Sequence, residues 1–133
     1  MIPLFGKNRK KWPNKETYNM LSHFYEAWML YGKTYKNSWA RRHEKASTLA
    51  KFYDLTKVDG MVSCAEHSWV IYKEHWILDP GAYHIGMLHC TEIILRSSPI
   101  GYLYNPAQLP YTCRPKPYVV DRLLKCMEET HEP

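Results

Sequence analysis

A chain of 133 residues has room for one domain with a single modest core. Its 45% hydrophobic and 23% charged residues are the balance of a globular protein, not of a disordered or fibrous one. No apolar run approaches a bilayer span, and Met1-Ile2-Pro3-Leu4-Phe5 is too short for a secretory core. Membrane insertion is therefore excluded from the expectation, which is a cytoplasmic protein whose four cysteines, Cys64, Cys90, Cys113 and Cys126, are free thiols.

Residues 1–13 read as irregular and carry the basic run Lys7-Asn8-Arg9-Lys10-Lys11, which contributes to the net charge of +5. Such a run is first a solvated terminus and second a contact for nucleic acid. A helix is expected from Lys15 to Tyr31, capped by Asn14 and stopped by Gly32. Met20, Leu21, Phe24, Ala27, Trp28 and Tyr31 form its buried stripe, with Glu16, Ser22 and Glu26 off it. A second helix should start at Ser38 or Trp39, with Asn37 as its cap, and fade near Leu55. Trp39, His43, Ala46, Leu49, Ala50 and Tyr53 share one face.

A strand from about Met61 leads into a hairpin. Val70 and Ile71 lie in its outgoing arm, Lys73-Glu74-His75 makes the turn, and Trp76-Ile77-Leu78 returns. Asp79-Pro80-Gly81 ends the returning strand. Tyr83 to Met87 is a loop or a short strand, Thr91–Arg96 a strand or a short helical turn, and Ile100–Tyr104 another strand. Asn105–Pro117, with four prolines, reads as an extended covering loop. A last helix over Tyr118–Glu129 turns Val119, Leu123, Leu124 and Met127 inward. Two helices, a small antiparallel sheet and a final helix make a single α+β domain spanning residues 1–133.

The chemistry concentrates at the two ends of the hairpin. Pairing about the turn brings His67 and Asp79 together, and an imidazole beside a carboxylate is two-thirds of a nucleophilic triad. The plainer reading makes His67 a packed polar residue and Asp79 a turn former before proline. Cys64, three residues before His67 on the same strand, would face the other way and is a poor nucleophile for it. Cys64, His67, His89 and Cys90 match no zinc-site spacing, so neither metal nor cofactor is expected.

The pattern His67-x-Trp69 followed by Trp76-x-x-Asp79-Pro80 resembles the His and Asp motifs of transglutaminase-like proteins, within the papain-like cysteine peptidase superfamily. The resemblance implies helices packed on a small antiparallel sheet, with a nucleophilic Cys at the start of the helix before it. Asn37-Ser38-Trp39-Ala40 is the corresponding segment, so Ser38 stands where the family has Cys, 67 − 38 = 29 residues before the His. Ser38 then reads as a Cys-to-Ser replacement, as a natural serine nucleophile or as the mark of an inactive form. In the implied mechanism residue 38 attacks a carbonyl, His67 is general base and then acid, and Asp79 orients His67. Asn37, Trp39, Trp69 and Tyr83 border the substrate. The implied substrate is a protein, peptide or small molecule with an amide or thioester bond, for hydrolysis, deamidation or acyl transfer. The alternative is an inactive module that binds a protein or nucleic acid.

Overall fold

The structure is a computed structural model that describes residues 15–36, 40–82, 93–107 and 114–131. The helices are α1, Lys15–Thr34; α2, Arg42–Tyr53; and α3, Pro117–Thr130. The strands are β1, Thr56–Val62; β2, Ala65–Tyr72; β3, Trp76–Leu78; β4, Ile93–Leu95; and β5, Tyr104–Pro106. They form one curled antiparallel sheet in the order β4-β3-β2-β1-β5, with the helices on one face, so the α+β class holds.

Two-residue alternation sorts the sheet into two layers. Val70, Tyr72, Leu78 and Ile93 point toward the helices and join Leu21, Phe24, Tyr31, Leu49, Leu123 and Met127 in the main core. Val62, Trp69, Ile77, Ile94 and Tyr104 pack together on the concave face, with Val58 and Ile71 at their margin. Strand β2 is buried on both faces from His67 to Val70, as a central strand must be.

Several sequence expectations change. Helix α1 runs through Gly32 to Thr34; Gly32 is exposed, and a β-carbon there would meet nothing within 4 Å. Ser22, placed off the stripe, is buried. Helix α2 starts at Arg42, not at Ser38 or Trp39. Arg41 is extended and its N–H donates to Glu44 Oε1 at 3.2 Å, a cap that fixes the helix start there. The helix ends at Tyr53, where Asp54 takes a left-handed conformation (φ 55°) and its N–H bonds the Ala50 carbonyl. Strand β1 begins at Thr56, five residues before Met61, and pairs with β2 along its whole length. Cys64 is not on a strand: it sits exposed in the β1–β2 turn, while Cys126 is buried in α3. Of Ile100–Tyr104 only Tyr104 is in a strand. Gly101–Leu103 is a 3₁₀ turn, and β5 runs from Tyr104 into the first two residues of the expected proline loop and pairs with β1. In α3 the buried positions include Val120 and Cys126, whereas Leu124 is half-exposed. The readings of residues 1–14, Tyr83 to Met87, Cys90 and Cys113 fall outside the described residues.

Gly60 permits the β1–β5 pairing. A β-carbon there would lie 2.1 Å from the Asn105 carbonyl oxygen and 2.9 Å from the Trp69 ring. Gly60→Ala should therefore lower stability by about 1–3 kcal/mol through overpacking, read from the urea midpoint.

A second polar centre joins the helices. His23 Nε2–H donates to the Met127 carbonyl at 2.7 Å, and Tyr53 Oη donates to His23 Nδ1 at 2.5 Å. Burial holds His23 below its ordinary 6.5, aided by nearby His131 and opposed by the Met127 bond and Glu26, and burial pushes Tyr53 up to about 12. Below the ordinary value the unfolded chain binds a proton that folded His23 resists, so stability falls as pH drops through 6.5 toward the folded value. Denaturation at pH 7.5 and 5.5 should show this acid-side loss in the wild type, and a smaller loss in His23→Gln.

Candidate functional site

The hairpin does what its sequence implied. Antiparallel pairing sets Val70 opposite Leu78 and Ile71 opposite Ile77, and Lys73 and Glu74 take positive φ to close the turn. Continuing that register puts Asp79 across from Trp69, on the same face as His67 and one pair along. His67 Nε2 lies 2.7 Å from Asp79 Oδ1 and 2.8 Å from Oδ2, and both residues are fully buried.

The carboxylate is held from three sides. His67 Nε2 reaches both oxygens, Tyr104 Oη donates to Oδ2 at 2.5 Å, and the Gly81 N–H donates to Oδ1 at 3.0 Å. The Gly81 bond follows from the Asp-Pro-Gly turn, in which an Asp side chain accepts from the amide two residues on. The Tyr104 bond comes from β5, at the far edge of the sheet.

A carboxylate only accepts, so Nε2 must be the protonated ring nitrogen. Nδ1, the other ring nitrogen, is buried and has no hydrogen-bond partner among the described residues. An unmade bond at a buried polar atom costs about 1–3 kcal/mol. The Nε2 side of the ring, by contrast, is fixed by the Asp79 carboxylate.

Of the expected site residues, the fold brings together His67, Asp79 and Trp69. The Trp69 indole lies 6.4 Å from the His67 ring, nearly parallel to it. Trp76 does not cover the pair, because it faces the helix-side core. Its place is taken by Tyr104, whose ring meets Trp69 edge-on at 5.2 Å. Asn37, Ser38, Trp39 and Tyr83 lie outside the described residues. Sequence reading missed Tyr104, whose only signal was its position in an alternating run.

On the opposite face, next to the dyad in sequence, runs a second network. His43 Nδ1 donates to Ser68 Oγ at 2.6 Å, Ser68 donates to Asp59, and Lys57 Nζ lies 3.3 Å from the same Asp59 oxygen. This is not a serine triad. The hydroxyl proton goes to the carboxylate and the histidine donates, so nothing acts as a base on Ser68. The network instead ties the first turn of α2 to β1 and β2. Among the described residues no three His, Cys, Asp or Glu side chains gather as a metal site, and no helix is long and apolar enough to cross a membrane.

No protein-family model, curated protein or solved structure matches this chain.

Tyr104→Phe keeps the ring that packs on Trp69 and removes one donor from Asp79. It should cost about 1.5–3 kcal/mol in urea denaturation, the range for bonds to charged groups. Imidazole nitrogen spectra should move His67 away from the pure Nε2–H form. An unchanged His67 spectrum would show that Tyr104 only fills space.

Proposed function

We propose that the chain carries the base half of a transglutaminase/papain-like acyl-transfer site. His67 is the general base and then acid, Asp79 is its orienting partner, and Ser38 holds the position of the attacking group. The observation that carries this reading is the asymmetry of His67. One ring nitrogen is held by a carboxylate bound from three sides, and the other has no partner among the described residues. That is the arrangement a general base needs, because the tautomer is set and the accepting lone pair is unspent. The reaction class is attack on an amide or thioester carbonyl, with hydrolysis, deamidation or acyl transfer as outcomes. A location in the cytoplasm belongs to the same reading.

A serine is a weak nucleophile beside a thiolate, so activity of this chain depends on how strongly His67 activates Ser38. A second reading, an inactive module that binds a protein or nucleic acid, is favoured by one observation. The dyad is wholly buried on the concave face, while α2 packs on the other.

Ser38→Cys separates the two. Treated with a thiol-reactive electrophile, Cys introduced at 38 should label at least about tenfold faster than Cys90 or Cys113, and the advantage should vanish in His67→Ala. Labelling no faster than Cys90 or Cys113 would remove residue 38 from the site and leave the binding reading.

A further inference from the structure

The concave face of the sheet is not filled. A cleft of about 430 Å³ opens there, floored by Val58, Ile71, Ile77, Trp69 and Tyr104. That volume suits one large side chain or a small molecule. Trp69 and Tyr104 have two roles: they line the cleft, and they are the rings beside His67, with Tyr104 also bonded to Asp79.

Two further observations bear on the occupant. Most of the exposed large apolar side chains among the described residues, Leu95, Ile100, Tyr102 and Leu103, come from one short segment that borders the cleft, and Met29 and Tyr118 lie elsewhere. Tyr102, 70% exposed, and Leu95 line the cleft directly. Such a concentration marks a contact surface, since scattered apolar residues need no explanation but a cluster does. The charges at the rim balance. Glu74 and Arg96 both line it, and Arg96 Nη1 donates to the Glu74 backbone carbonyl at 2.5 Å. Arg96 retains further donors at the lip. One cation offset by one anion does not recruit a phosphate backbone, which takes several unpaired Lys or Arg. An apolar floor with a neutral, hydrogen-bonding lip fits an uncharged amide carrying a bulky side chain.

We propose that this cleft recognises a large apolar side chain, aromatic or branched aliphatic, presented on a neutral peptide amide. The side chain lies over Trp69 and Tyr104, and the amide meets the donors of Arg96. That the peptide is also the substrate of the dyad rests on the acyl-transfer reading above; the binding does not. Contact with Tyr104 couples the two, because the ring that the ligand covers carries the hydroxyl that holds Asp79.

The test is an NMR titration of the full chain with N-acetyl-phenylalaninamide, N-acetyl-leucinamide and N-acetyl-glycinamide. The two bulky amides should shift the signals of Val58, Ile71, Ile77 and the Trp69 indole N–H, and bind at least about tenfold more tightly than the glycine amide. Val58→Phe, which fills the cleft, should weaken the bulky amides about tenfold. Tyr102→Ala, on the exposed lip, should weaken them several-fold with the rest of the spectrum unchanged. Equal affinity for the three amides, or shifts confined to other surfaces, would overturn the assignment. Binding without His67-dependent labelling of Ser38→Cys leaves the cleft standing and removes the acyl chemistry. Such labelling without amide binding does the reverse.

Discussion

Everything on the concave face depends on one buried hydrogen bond, from His67 Nε2 to the Asp79 carboxylate. Removing a carboxylate from water is tolerable only when its lone pairs are met, and here an imidazole, a phenol and a backbone amide meet them. Each donor enters from a different element, β2, β5 and the turn after β3, so the bond also holds the sheet in its curl. Gly60 belongs to the same arrangement, since its missing side chain lets β5 bring Tyr104 in.

The sheet therefore serves two environments at once. Toward the helices it is an ordinary apolar surface, tied to α2 by the Lys57–Asp59–Ser68–His43 chain and to α1 by the bond from Tyr72 Oη to Glu16. Away from them it holds a buried polar pair beside an aromatic wall and an open cleft. His67 and Ser68 are neighbours in sequence, yet they belong to different networks because strand side chains alternate. This separation keeps a second histidine and a serine from interfering with the His67–Asp79 geometry.

Functionally, the two ring nitrogens of His67 are the informative contrast. A histidine kept for packing alone would gain by satisfying both, and here one, in a fully buried ring, has no partner among the described residues. The cleft lies beyond Trp69 and Tyr104, the two rings beside His67.

Much of the site was legible in the sequence because it is local. The hairpin turn, the strand period and the Asp-Pro stop decide that His67 and Asp79 meet, and all lie within fourteen consecutive residues, His67 to Pro80. The α+β order and the buried stripes of α1 and α3 were readable for the same reason: periodicity is a short-range signal. The start of α2 was not, because a good cap at Asn37 competes with an Arg41–Glu44 pairing that tertiary packing of Ala40 and the helix selects. Nor was the part of Tyr104, which reaches Asp79 only because β5 crosses to the open edge of β1, a long-range pairing that no local pattern encodes. Sequence alone thus determined the dyad. Tertiary structure decided what holds the dyad in place, which face it occupies and what cleft lies beside it, because those depend on the sheet curling and on strands distant in the chain.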